Sequence, residues 1–269
     1  MIDWSPPWPS SYGPDMRAVK PTRACRRYRI EERTLIIDLK QPHRIISSAP
    51  YGGGIVRARS ILNHQVQPNP RALGRPDATT WTDPSRFLGR LAVRMNVKMP
   101  MVGLMTAVPM KQLVVDREQS GPVWVECFCT VGVTNAVRAG EPVVRAHSML
   151  RGDRAGTINI ILITNATLTM MALVGAVQVA TESKAGTLIR RKVPSIARKS
   201  LLATGTGTDA VVIASSLEGL HKIKYSGTHT DIGSMIGRLV ARCVDTGLMR
   251  ATRWTQGRSR IDDRPRACS

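Results

Sequence analysis

The run TINIILIT, residues 157–164, constrains the fold of this chain more than any other stretch. It is short, bounded upstream by Gly156, rich in β-branched residues and apolar at successive positions, so it predicts a strand buried on both faces. MVGLMTA (101–107), VWVECFCTVGV (123–133) and DAVVIAS (209–215) have the same character and predict further strands. Helical spacing separates them. Asp83 as N-cap with Pro84 in the first turn opens a helix carrying Phe87, Leu88, Leu91 and Ala92. Helical periodicity returns from Leu168 to about Leu188 and again over 231–248, where Ile232, Ile236, Leu239, Val240 and Cys243 share a face.

Nearer the start, RTLIIDL and HRIISSA flank Gln41–Pro42 and predict a hairpin. After Gly52–Gly53–Gly54, the spacing of Ile55, Ala58, Ile61 and Leu62 predicts a helix over 55–66. The fold class expected is α/β in the broad, α+β sense: layered mixed β-sheets with flanking helices. Residues 1–32, with Pro6, Pro7, Pro9, Pro14 and Pro21, read as a Pro/Arg-rich extension, 33–250 as one domain, and 251–269 as a basic tail.

Charge poses a separate question. Thirty-nine Lys and Arg against 19 Asp and Glu leave a net charge of +20, which invites a nucleic-acid or membrane-surface reading. Its distribution weakens that reading. Residues 1–30 hold six Lys/Arg against two Asp, and residues 238–269 hold eight Arg against three Asp, so the ends supply +4 and +5. Two Phe and four Tyr are few for base-stacking platforms. The odd set of cysteines, Cys25, Cys127, Cys129, Cys243 and Cys268, contains no C-x-x-C pair and fits reduced thiols. No stretch reaches the length of a bilayer span, and the expectation is a cytoplasmic protein.

Glycine, hydroxyls and amides concentrate in 47–54, 130–140, 156–165, 204–209 and 226–231. Such loops let backbone N–H groups approach a ligand closely and suit carbonyl or phosphate oxygens; they also serve as plain tight turns. Thr157 follows a glycine at the start of the most buried strand, where its hydroxyl is a candidate nucleophile or simply a strand-starting residue. His229, between Thr228 and Thr230, is the best placed of five histidines for acid–base work. The histidines are scattered and make no metal-binding spacing, so no metal is expected.

Several of these strings together resemble the adenosylcobinamide amidohydrolase family. They are SSAPYGGGIVRARSILNHQV (47–66), VGLMTA (102–107), TVGVTNAVRAG (130–140), AGTINIILITNATLT (155–169), ATESKAGTL (180–188), GTGTDAVVIAS (205–215) and YSGTHTDIGSMIGRLV (225–240). The resemblance implies hydrolysis of the amide between a corrin-ring propionate and aminopropanol, yielding adenosylcobyric acid in coenzyme B12 salvage. No cofactor is then required, the corrinoid being substrate. The stretch from Gly156 followed by T-G-T-G-T-D is also similar to the DmpA-like β-aminopeptidases. That likeness implies an αββα arrangement, with Thr157 in the nucleophile's place and Thr206, Thr208 and Asp209 in a polar loop beside it.

The site expected therefore has Thr157, His229 and Asp209 as catalytic residues. Substrate binding falls to Ser47, Ser48, Gly52, Gly53, Gly54, Asn63, Thr134, Asn135, Asn165, Thr206, Thr208 and Thr228. Two rival readings stand beside it: a corrinoid-binding protein without catalysis, and a basic nucleic-acid-binding protein. A homo-oligomer is compatible with the sequence, which does not decide the oligomeric state.

Overall fold

A computed structural model of the chain describes residues 28–66, 83–142, 156–219 and 221–262. Residues 67–82 lie outside the described residues, as do most of the N-terminal extension and the last seven residues of the tail.

Twelve strands and three helices follow one another along the described chain. β1 (Tyr28–Glu31), β2 (Thr34–Ser47) and β3 (Gly54–Gln65) precede helix α1 (Pro84–Arg94). β4 (Met101–Thr106), β5 (Val114–Ser120), β6 (Val123–Val131), β7 (Ala136–Val137), β8 (Ile158–Thr164) and β9 (Thr167–Leu168) come next, then α2 (Met170–Arg190). β10 (Gly205–Thr206), β11 (Ala210–Ser216) and β12 (Lys222–Ile223) lead into α3 (Asp231–Asp262).

The main sheet runs β4-β3-β2-β11-β8-β6-β5, with β1 on β2. It is mixed: β11 lies parallel to β8 and β3 to β4, while the other main-sheet pairs are antiparallel. β2 is the hinge of the architecture. Its first residues, Thr34–Ile37, lie between β1 and β3, whereas His43–Ser47 lie between β3 and β11, with a register slip between Asp38 and His43.

This lets the two halves of the sheet stack face to face. Leu35, Ile37, Ile61, Val102 and Leu104 from one half meet Phe128, Ile161, Ile163, Val212 and Ala214 from the other. Helices cover both outer faces. Leu173, Ala176 and Ala180 of α2, with Ile236, Leu239 and Val240 of α3, pack on Cys127, Ile160, Leu162 and Ile213. On the opposite side, Leu88, Leu91 and Ala92 of α1 pack on Ile36, Leu62 and Met101. The result is four layers, helix–sheet–sheet–helix. β8 alternates between two cores, Ile158, Ile160 and Leu162 under the helices and Ile161 and Ile163 between the sheets, which is why it shows no polar face.

Two local expectations are corrected. Residues 55–66 are not a helix: Gly54–Gln65 is β3, hydrogen-bonded to β2 and β4. From Ser60 to His64 every residue is buried, so the alternation that betrays a strand is erased by packing on both faces. Nor do 33–49 form a hairpin about Gln41–Pro42. β2 continues through them, and Pro42 sits within the register slip, where no ladder N–H is needed.

The hairpin lies one step earlier, between β1 and β2, through Glu32 and Arg33, both at positive φ. Such a turn usually advertises itself with Asn or Gly, which are absent here. β1 thus begins within the span read as extension, and α3 runs through residue 250 to Asp262. Among the described residues no helix is long and apolar enough to cross a membrane.

Candidate active site

Thr157 stands immediately before β8, at the end where β11 also begins, since Ala210 pairs with Asn159. It is 3% exposed. Its Oγ1 donates to the Thr208 carbonyl oxygen at 2.8 Å and lies 2.6 Å from Thr208 Oγ1. Thr208 Oγ1 is in turn 3.2 Å from the Gly156 carbonyl oxygen. The loop 204–209 reaches this position because β10 pairs with β7, Gly205 opposite Val137 and Thr206 opposite Ala136.

Behind the two threonines sits a carboxylate with no spare capacity. Asp209 Oδ1 accepts from Ile158 N at 2.9 Å and Thr206 Oγ1 at 2.5 Å. Its Oδ2 accepts from Thr206 N at 3.0 Å and Lys184 Nζ at 2.5 Å. With four donors in place, Asp209 anchors the start of β8 and the Thr206 turn; its lone pairs are occupied by these donors rather than turned to Thr157.

Lys184 was not anticipated. Its side chain is 8% exposed and that of Asp209 11%, so the two form a buried ion pair. The signal was legible, because Lys184 continues the four-residue stripe Ala172, Ala176, Ala180 that α2 buries. A lysine on that stripe needs a buried partner.

The loop 132–137 closes the other side. A Cβ on Gly156 would stand 2.6 Å from Asn135 Oδ1, 2.7 Å from Gly132 O and 2.8 Å from Thr134 N, so only glycine fits before Thr157. Ser48 caps the start of β11, its N–H donating to Val211 O and its Oγ accepting from Val211 N, both at 3.2 Å. Ser47 Oγ accepts from Ala49 N. Gly52 has φ +64 and packs where a Cβ would meet Met101 O at 2.5 Å, while Gly53 backs onto Ala49 and Gly54 pairs with Ser47. Asn63 reaches across from β3 to Asn159 Nδ2 and Thr130 Oγ1.

Thr157, Thr206, Thr208, Asp209, Ser47, Ser48, Asn63, Thr134, Asn135 and the glycine turn therefore gather toward one end of the stacked sheets. Three expected residues do not join them. Asn165 lies past the far end of β8, where its Oδ1 accepts from Trp124 N and its Nδ2 donates to Pro122 O. Thr228 and His229 are exposed in the turn before α3, beside the N-terminus of α2, where Ser226 Oγ donates to Ala172 O.

β8 spans seven residues, roughly 23 Å at about 3.3 Å each, and separates that end from Thr157. His229 as proton partner of Thr157 is thus corrected: the turns that carry the two residues emerge at opposite ends of β8. Among the described residues no group of three His, Cys, Asp or Glu is placed to hold a metal. Cys127 and Cys129 are free thiols in the core beside Cys243; a hydrogen bond with Cys243, then burial, push the Cys127 thiol up, and burial first pushes up Cys129.

The sequence profile of the adenosylcobinamide amidohydrolase family matches residues 18–256. The chain belongs to this family. An adenosylcobinamide amidohydrolase of Methanosarcina mazei is 31% identical over 229 residues, covering 82% of this chain and 96% of the relative. An uncharacterised protein of Methanocaldococcus jannaschii is 29% identical over 233 residues, 82% of this chain and 87% of that one. Among solved structures, a Burkholderia sp. β-aminopeptidase aligns at TM-score 0.38 and 12% identity, over 81% of this chain and 78% of its own. A Pyrococcus horikoshii protein aligns at 0.37 and 11%, over 81% and 77%. The span matched by the family contains Gly156, Thr157, Lys184, Thr206, Thr208 and Asp209, all the groups that meet at the start of β8.

Proposed function

We propose that this protein hydrolyses the amide joining a corrin-ring propionate to aminopropanol in adenosylcobinamide, releasing adenosylcobyric acid and serving corrinoid salvage. The reading is carried by the match of the amidohydrolase family over residues 18–256. It is supported by a hydroxyl at the start of β8 held against a second hydroxyl and backed by a carboxylate–ammonium pair.

In the proposed reaction, Thr157 Oγ adds to the amide carbonyl carbon and its proton passes through the Thr208 hydroxyl to the departing nitrogen. The C–N bond breaks, free aminopropanol leaves, and the acyl group remains as an ester on Thr157. Water then cleaves that ester, giving the carboxylic acid and returning a proton to Thr157. Asp209 acts by position, holding Ile158 N and Thr206 while Lys184 neutralises it. No metal or organic cofactor enters these steps.

The partners of the Thr157 hydroxyl are Thr208 O and Oγ1, neither a strong base. This favours a second version of the same reaction. Cleavage of the Gly156–Thr157 peptide bond would free the α-amine of Thr157 to serve as its own base.

Incubation of the protein with adenosylcobinamide, followed by mass analysis of the corrinoid, tests the reaction. The expected product is adenosylcobyric acid, formed also after chelator treatment. Unchanged corrinoid after long incubation at high protein concentration refutes the reading. Intact-protein mass distinguishes the two versions, fragments meeting at Gly156 and Thr157 favouring the α-amine.

A further inference from the structure

Two residues beyond Thr157, Asn159 faces the same space between the sheets by strand alternation and is 1% exposed. Both of its amide hydrogens are committed. Nδ2 donates to Asn63 Oδ1 at 3.0 Å and to Met105 O at 2.8 Å, two acceptors supplied by the opposing sheet. Exchanging Nδ2 and Oδ1 would set three oxygens together, so these acceptors fix which way the amide points. Its Oδ1 is left buried and without a partner.

The surrounding polar groups explain why the chain itself does not satisfy that oxygen. Asn63 Nδ2 donates to Thr130 Oγ1 at 3.4 Å, and Thr130 Oγ1 donates to Thr106 Oγ1 at 3.5 Å. Val108 N also donates to Thr106 Oγ1, at 3.1 Å. Successive donors from Asn159 to Thr106 point the same way, and the free end of the series is an acceptor at Asn159. A buried acceptor held open at the end of an ordered network calls for a donor from a ligand.

We propose that Asn159 Oδ1 accepts the N–H of the scissile amide and so selects secondary amides over esters. The inference rests on Thr157 being the attacking residue. Thr157 and Asn159 share a face with Cα atoms roughly 7 Å apart, so a substrate with its carbonyl carbon at Thr157 Oγ1 can turn its nitrogen toward Asn159. As that nitrogen gains a proton on leaving, its hydrogen bond to Oδ1 strengthens, and the contact favours the transition state over bound substrate.

The test pairs two substrates with two proteins: adenosylcobinamide and its ester counterpart, in which oxygen replaces the amide N–H, each with the wild type and with Asn159→Leu. The expected result is a fall in kcat/KM of at least about tenfold on the amide and less than about threefold on the ester, a difference matching one lost hydrogen bond. Equal losses on both overturn the proposal and reduce Asn159 to a structural role or to holding a buried water. They leave the proposed function standing, whereas a wild type that turns over neither substrate overturns both. The wild type gives an independent reading should Asn159→Leu fail to fold: the ester should compete for the site about tenfold more weakly than the amide. Equal competition overturns the proposal.

Discussion

Replacing Asp209 by Asn leaves the shape of the side chain intact and removes its charge. One of its two oxygens becomes an amide nitrogen, so two of the four donors now around it, Ile158 N, Thr206 N, Thr206 Oγ1 and Lys184 Nζ, lose their acceptor. Lys184 then stays buried at 8% exposure with no counter-charge across the 2.5 Å contact. Breaking one side of a buried ion pair costs about 3–5 kcal/mol. For a domain of this size that corresponds to a fall in Tm of roughly 6–20 °C. Lys184→Met should cost a similar amount, because it strands the carboxylate instead.

The double variant Lys184→Met/Asp209→Asn strands neither charge and should recover most of the lost stability. Its turnover should stay low, since the Asp209 contacts that fix Thr206 and the start of β8 are not restored. Thermal and denaturant unfolding of the four proteins, followed by circular dichroism, with turnover measured on the same preparations, separates these outcomes. Asp209→Asn melting within about 2 °C of wild type, or a double variant no more stable than either single one, refutes the buried-pair reasoning.

Thr157→Ala should lower turnover more than about a thousandfold with the fold retained, and Thr157→Ser should keep part of it; near-normal turnover of the alanine variant ends the nucleophile assignment. His229→Ala should leave kcat/KM within about twofold of wild type, because the residue is exposed at the far end of β8, and a severe loss would contradict that placement. Burial, then the charges of Arg33 and Arg94, lower the pKa of His64 from 6.5 to about 4, so the folded protein holds it neutral. Its contribution is full above pH 6.5, declines as pH falls through 6.5 toward 4, and by then has lost about 3 kcal/mol. Denaturant unfolding at pH 7 and pH 4.5 should show a smaller drop for His64→Phe than for wild type; equal drops count against it.

Much of the site was legible wherever chemistry and position coincide locally. Gly156–Thr157 at the head of TINIILIT, and Thr206, Thr208 and Asp209 in one turn, are close in sequence to the strand starts that carry them, and that the two lie side by side was implied by the resemblance to the DmpA-like β-aminopeptidases. Lys184 and Asn159 were passed over because their roles depend on partners elsewhere in the chain, Asp209 and the pair Asn63 and Met105. β5 was missed for a related reason. Its charged residues Asp116 and Glu118 look like loop until Arg242 and Arg238 of α3 meet them.

By itself the sequence determined the elements marked by short β-rich runs, the strands at 101–106, 123–131, 158–164 and 210–216, and those marked by helical spacing, the helix opened by Asp83 and the helices beginning near 170 and 231. Those follow from local hydrophobic spacing and caps, which do not depend on what packs against them. Only the tertiary structure decided that 54–65 is a strand, because Ser60–His64 are buried on both faces and leave no alternation to read, while Ile55, Ala58, Ile61 and Leu62 fall at helical spacing. It also decided which glycine- and threonine-rich loops share a site. Seven residues of extended chain put roughly 23 Å between Thr157 and the His229 turn, while pairing of β10 with β7 and of β11 with β8 brings residues about fifty positions apart into hydrogen-bond contact.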